Sequence, residues 1–210
     1  MIKNQIHTLV DRNHVLQPGQ RQAQDLFSQS GLKALKGVGL PDRERKILDE
    51  LLRLYQQLEV QIEFGNQWVE ELYHESPEAH GIDTIPGFAH FLSVFVRYEI
   101  GDIHRFREAR KLCAYAGLVP RVYASGEKVF YGKITKRGNA HLRWAAIEAV
   151  TAAVRCDSRL RSEYERIRQK KGTGVARVAI ARKLLEWVYR TWKTGKTFQE
   201  LTSQAALCNR

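Results

Sequence analysis

From Arg43 to His74 the apolar residues repeat with heptad spacing. Leu48, Tyr55, Ile62 and Val69 form one row, and Leu51, Leu58 and Leu72 form the other. Gly65 interrupts the second row, while the opposite side is rich in Glu and Gln. A repeat sustained over about four heptads predicts one long amphipathic helix, either a coiled coil or the arm of a helical hairpin. Such a seam needs cover. It comes either from a second copy, making a homo-oligomer through residues 43–74, or from the chain's own N-terminal helices.

The flanking segments are read from their punctuation. Short helices are expected over 3–13 and 20–36, separated by Gln17-Pro18-Gly19-Gln20, with Asp42 placed to cap the long helix. After 75–87 ends the arm, a helix over 88–99 carries Phe88, Phe91, Leu92 and Phe95 on one face. A turn at 101–106 leads to a helix over 107–116 that Gly117 can end. The run 121–135 is too brief to decide between a short hairpin and a basic loop. A helix over 139–155 turns Leu142, Ala145, Ala146, Ala149 and Ala153 inward. Asp157 or Ser158 can cap the next, 159–170. Beyond Gly172–Gly174 a last helix runs over 175–192, facing Val178, Leu184, Leu185, Val188 and Trp192 to the core. The expected fold is mainly α: a heptad-patterned arm, then a compact helical domain with a helix-hairpin-helix-like element and a short basic hairpin or loop. The divisions are 1–80 (linker and arm), 81–200 (C-terminal domain) and 201–210 (tail).

Charge is the informative part of the composition. The net charge of +11 is unevenly placed: −3 over residues 1–80, +5 over 121–143 and +8 over 155–193. A basic half of this kind points to a polyanionic partner, nucleic acid being the commonest in a cytoplasm. No apolar run has membrane-spanning length, and the first residues lack the apolar core of a secretory signal. Three cysteines without metal or redox spacing (Cys113, Cys156, Cys208) fit a reducing cytoplasm. The expected location is therefore cytoplasmic, at the nucleoid, with no membrane partner.

Two stretches could carry chemistry. Thr84-Ile85-Pro86-Gly87 precedes an aromatic helix; Gly87 would let the backbone approach a phosphate, with the next helix's N–H groups aimed at it. Pro-Gly before a helix is also an ordinary turn. In the second stretch Arg121, Lys128, Lys133, Lys136, Arg137 and Arg143 gather with Tyr123, Phe130, Tyr131 and Trp144. Cations there can neutralise phosphates and aromatics can stack on bases, or the run is a solvated loop with core-facing rings. Ser125 lies inside it. A serine hydroxyl attacks phosphorus only if a base takes its proton and cations hold the non-bridging oxygens. Ser-Gly is equally a common turn dipeptide. The seven histidines show no metal-ligand spacing, and no phosphate-binding loop or nucleophile elbow is present.

Several segments in order carry a resemblance: IPGF (85–88), EIGDIHRFREARKLCAYAGLVPR (99–121), SGEK (125–128), GKITKRGNAHLRWAAIEA (132–149) and VAIARKLLEWVYRTWKTGK (178–196). Together they resemble the C-terminal half of the insertion-sequence one-ten family of DEDD transposases. The arm from Asn4 onward is similar to that family's linker. The resemblance implies DNA transposition and recombination, with a serine that forms a covalent phosphoserine link to DNA. That serine maps onto Ser125. DNA is the implied partner, with a guide (bridge) RNA in some members, and Gly87, Arg121, Lys128, Lys133, Lys136, Arg137, Asn139 and Arg143 become the expected nucleic-acid contacts.

Family members carry four acidic metal ligands in an N-terminal domain with a resolvase-like ribonuclease-H fold, and nothing in this sequence corresponds to it. The expectation is therefore no cofactor in this chain, with magnesium confined to that other domain and little strand exchange without it. The family hairpin reads Gly-x-Gly after the proline, whereas here it is Gly87-Phe88-Ala89. The alternatives are a non-catalytic DNA- or RNA-binding remnant and an assembly module acting through the arm.

Overall fold

The computed structural model describes residues 1–14, 26–125 and 128–208, which form two compact units, Met1–Gln67 and Trp68–Arg210. The chain is mainly α, as its periodicity predicts, and no described helix is long and apolar enough to cross a membrane. The break expected at 17–20 lies outside the described residues.

In the first unit, α1 (Ile2–Arg12) and α2 (Gln29–Gly37) pack on the N-terminal part of α3 (Asp42–His74). Ile6, Val10, Leu26, Leu35, Leu48 and Leu52 form its core. Ser28 caps α2 by accepting from the Gly31 N–H at 3.1 Å. At the other end of α2, Arg45 donates to the carbonyls of Leu35, Lys36 and Val38, each at 3.0 Å, so that the long helix closes the short one. Asp42, expected as a cap, is the first residue of α3. The heptad seam has two fates. Leu48 and Tyr55 are buried under the chain's own helices, whereas Leu58 and Ile62 are 50% and 56% exposed.

The second unit contains α4 (Pro77–Asp83), α5 (His90–Ile100), a 3-10 turn (Ile103–Arg105), α6 (Ala109–Tyr115), β1 (Pro120–Ser125), β2 (Lys128–Ile134), α7 (Ala140–Cys156), α8 (Ser158–Lys171), α9 (Thr173–Thr194) and α10 (Phe198–Cys208). The segment set off as a tail from residue 201 thus continues α10. Asn139 caps α7 through the Leu142 N–H, and Asp157 caps α8 through those of Arg159 and Leu160. Alpha-helix α9 is the spine. Ile180, Ala181, Leu184, Leu185 and Val188 are buried against α7, α8 and α6, with Val178 and Trp192 half-buried beside them. Each full-sized apolar side chain there contributes roughly 1.5–3 kcal/mol by leaving water.

Alpha-helix α7 shows its neighbours a row of small residues, Ala145, Ala146, Ala149 and Ala153, all fully buried. This lets the turn before α5 press against it. At Gly87, with φ +94°, a Cβ would stand 2.2 Å from the Ala149 carbonyl oxygen and 2.9 Å from the Ala153 Cβ. Both backbone conformation and space exclude any other residue.

The last turns of α3 that belong to this unit are pinned to the start of α5. His90 Nδ1 lies 3.0 Å from Glu70 Oε1, and its ring stacks on Tyr73 at 4.0 Å. The hydrogen bond with Glu70 holds the His90 imidazole above its usual range. Tyr73 donates to Asp83 at 2.9 Å, and burial with that bond pushes its phenol up to about 12.

Two glycines test this packing. Gly87→Ala should lower stability in urea unfolding by roughly 2–4 kcal/mol, combining strain and overlap. Gly65→Ala, where a Cβ would meet nothing within 4 Å inside α3, should raise it by about 0.5–1 kcal/mol. An unchanged midpoint for Gly87→Ala would refute the close approach to α7.

Candidate nucleic-acid interface

The basic run forms an antiparallel hairpin. The register pairs Pro120 with Ile134, Val122 with Tyr131, Tyr123 with Phe130, Ala124 with Val129, and Ser125 with Lys128. An irregularity between Pro120 and Val122 shifts the ladder near its base. Ser125 and Lys128 are its last pair; Gly126 and Glu127 lie outside the described residues.

What positions this hairpin is its root, where the segment leaving α6 crosses the segment leaving β2. Thr135 N–H donates to Val119 O at 2.9 Å, Lys136 N–H to Gly117 O at 3.1 Å, and Asn139 N–H to Tyr115 O at 2.7 Å. The crossing is too close for side chains on either strand. A Cβ at Gly138 (φ +125°) would lie 2.1 Å from Tyr115 O, and one at Gly117 (φ +68°) 2.7 Å from Arg137 O. Lys136, though not a glycine, also has positive φ, at +52°.

Two side chains lock the crossing. Arg143 Nη1, from the first turn of α7, donates to Ala116 O at 2.9 Å and Lys136 O at 3.3 Å, one carbonyl from each segment. Asn139 accepts from the Leu142 N–H at 2.8 Å and donates to Glu99 Oε2 at 2.6 Å and the Tyr115 hydroxyl at 3.4 Å. The Arg105 guanidinium lies 4.5 Å over the Tyr115 ring. Hydrogen bonds from Asn139 and then Arg105 draw the Tyr115 phenol below its ordinary range.

The expected contact residues therefore divide. Arg121 is exposed on β1, and Lys128 and Lys133 belong to β2. Lys136 and Arg137 are exposed between β2 and α7. Asn139 and Arg143 bond to the protein itself, and Gly87 packs on α7.

One set of cations is missing from the expected contacts. On α8, Arg159, Arg166 and Lys170 are exposed and follow each other by seven and four residues, which puts them on one face over about 16 Å. The +8 of residues 155–193 signalled a basic region, but only the helix bounds show which charges align. Arg159 lies 3.9 Å from Asp157, whereas Arg166 and Lys170 have no ion-pair partner among the described residues. Cys113 is buried, its thiol pushed up to about 11 by desolvation, and offers no nucleophile.

Comparison with known proteins decides what this arrangement belongs to. Residues 79–165 match the family described as Transposase IS116/IS110/IS902. Over these residues the chain is similar to that transposase family. It takes in α4 from its third residue, the Gly87 turn, α5, α6, the whole hairpin with Ser125, α7 and the first half of α8. The chain is 34% identical over 125 residues to the transposase for insertion sequence element IS1111A of Coxiella burnetii, covering 58% of this chain and 34% of that protein. It is 25% identical over 180 residues to the transposase for insertion sequence element IS1328 of Yersinia enterocolitica, covering 78% of this chain and 53% of that one. The chain thus spans between about a third and about half the length of these transposases.

The root of the hairpin is testable by stability. Asn139→Ala removes a helix cap and strands Glu99, and should cost about 1–2 kcal/mol in urea unfolding. The exposed neighbour Arg137→Ala should stay within about 0.5 kcal/mol of the parent. Equal stability for both would contradict the internal role of Asn139.

Proposed function

We propose that this chain is the C-terminal part of a DNA transposase, binding DNA along its basic surface and offering Ser125 as nucleophile for strand exchange. The observation that carries this reading is the register. The serine that the family resemblance maps onto Ser125 closes the ladder of a hairpin whose root is fixed by the Gly117–Gly138 crossing, inside the segment that matches the family.

The chemistry is a transesterification. The Ser125 hydroxyl loses its proton to a base as Oγ bonds to phosphorus. The P–O bond to one strand end breaks, and the departing oxygen takes up a proton. One phosphoester replaces another, so a strand end from a second duplex can reverse the step with no external energy source. Charge builds on the non-bridging oxygens in the transition state, and fixed cations are what lower its energy. Arg121, Lys128, Lys133, Lys136 and Arg137 on and beside the hairpin are assigned to that task, with Arg159, Arg166 and Lys170 on α8 gripping phosphates farther along the duplex.

The resemblance also implies a divalent metal held by acidic residues. Among the described residues no group of three or more His, Cys, Asp or Glu could hold a metal ion, so the residues described do not fit one. That metal is assigned to acidic residues other than the described ones. A guide RNA is a further partner the resemblance implies. The exposed seam at Leu58 and Ile62 is assigned to a second copy, continuing the heptad that the chain's own helices cover at Leu48 and Tyr55. Sedimentation should show a dimer that Leu58→Glu/Ile62→Glu converts to monomer; an unaltered mass would remove the assignment.

DNA binding is tested by anisotropy on a labelled duplex across a salt series. Affinity should fall linearly on a log–log scale, and Arg166→Gln/Lys170→Gln should reduce the slope by about 2. Ser125→Ala should bind as the parent does, because the grip is cationic. Binding that is absent, or indifferent to salt, would overturn the reading.

A further inference from the structure

The outer face of α5 and α7 carries a continuous group of aromatic rings that the serine chemistry does not use. Phe91 and Phe95 stack with centroids 5.9 Å apart. Phe95 in turn meets the edges of Trp144 at 5.5 Å and His141 at 6.3 Å. Phe91 is 51% exposed and Trp144 46%, and Tyr98, one turn farther along the Phe91–Phe95 stripe, is 51% exposed. Phe95 is half-buried against the core, whereas Phe91, Tyr98 and Trp144 stay outside an interior that Phe88, Val96 and Ile100 fill from this stretch with the alanines of α7.

The charges beside this patch indicate what it takes. Lys136 and Arg137, both exposed, come immediately before α7, whose first turn holds His141 and no acidic residue. Neither cation has an ion-pair partner among the described residues. Arg143, the arginine of that turn, is turned inward to the hairpin root, which leaves His141 and Trp144 as the outward groups. On the far side Glu148 is exposed one turn beyond Trp144 and repels phosphate. Flat rings flanked on one side by cations and on the other by a carboxylate suit a strand whose bases stack on the rings while its backbone follows the cations. In a duplex the base faces are occupied by their neighbours, so the rings have access only to unpaired bases.

We propose that the Phe91–Phe95–Trp144 face binds an unpaired DNA strand, stacking two bases while Lys136 and Arg137 hold the intervening phosphates. The assignment rests on the DNA reading above and adds to it the form of the substrate, a strand already separated from its complement. Strand exchange exposes such a strand each time a phosphodiester is transferred between duplexes.

The experiment compares the affinity of the full chain for a fluorescein-labelled oligothymidine of about 20 nucleotides, a mixed-sequence duplex and an oligouridine of equal length, at one salt concentration. Phe91→Ala and Trp144→Ala should each weaken oligothymidine binding about tenfold while leaving duplex binding within about twofold. Trp144→Tyr, which keeps a ring, should recover most of the loss, separating stacking from a folding defect. Oligothymidine should also quench tryptophan emission in the parent more than in Trp144→Phe. Unchanged oligothymidine binding in both alanine variants, or an equal loss on the duplex, overturns the proposal. A larger loss on oligouridine reassigns the face to RNA, and a fall in oligomeric mass on Trp144→Ala reassigns it to a second copy; either result also overturns it. Duplex binding with indifferent ring variants sinks this inference alone, whereas no nucleic-acid binding at all sinks the transposase reading with it.

Discussion

The second unit depends on one backbone crossing. Residues 115–117 leave α6 and residues 135–139 return from β2, near enough that Gly138 would place a Cβ 2.1 Å from the Tyr115 carbonyl. Peptide groups brought this close must hydrogen-bond or be penalised for lost hydration, and here they bond: to Val119, to Gly117, to Tyr115 and to the Arg143 guanidinium. The same crossing starts α7, because Asn139 is at once the end of the return segment and the cap of that helix. The hairpin direction, the start of α7 and the outward placement of Trp144 thus share one cause.

Much of this was legible in the sequence, and the illegible part has a common physical origin. Helix bounds followed from caps and periodicity: the small inward face of α7, the Asp157 cap and the helix after Gly172 all lie within a few residues of expectation. Such signals are local. The choice between hairpin and loop at 121–135 was open because six or seven alternating residues do not fix a register; the pairing needs the crossing beneath it. Asn139 and Arg143 read as phosphate contacts because a sequence shows a donor's type but not the acceptor it finds. Three of their acceptors, at Glu99, Tyr115 and Ala116, lie 24 to 40 residues away. Gly87 likewise suggests a backbone opened to a ligand, and only the Ala149 carbonyl opposite it reveals its use in packing. The seam of α3 is the mixed case. Its period was plain, but its division into a covered half and an exposed half depends on where α1 and α2 pack.

Electrostatics organise the rest. The hairpin and its root supply one set of cations, and α8 supplies another aligned along a helix face. Some of the acidic side chains in this unit are already engaged: Glu99 with Asn139, Glu70 with His90, Glu163 with Lys183, Glu165 with Arg168. The excess of positive charge comes from the sequence itself, +5 over residues 121–143 and +8 over 155–193, and an excess of this kind favours salt-dependent attraction to a phosphate backbone. Attraction alone does not distinguish a transposase from any basic protein. The feature beyond charge is a serine that closes the ladder of a rooted hairpin, within the segment that matches a transposase family, and the proposed reaction rests on it.

The most direct test of that claim is covalent. The chain is combined with a family-type junction substrate and a separately supplied acidic domain, then quenched in denaturant and digested, and the peptide containing residue 125 is weighed by mass spectrometry. A nucleotide joined to Ser125 through a phosphoester, absent from Ser125→Ala, is the predicted result. An adduct of equal yield in Ser125→Ala would contradict the assignment of the nucleophile.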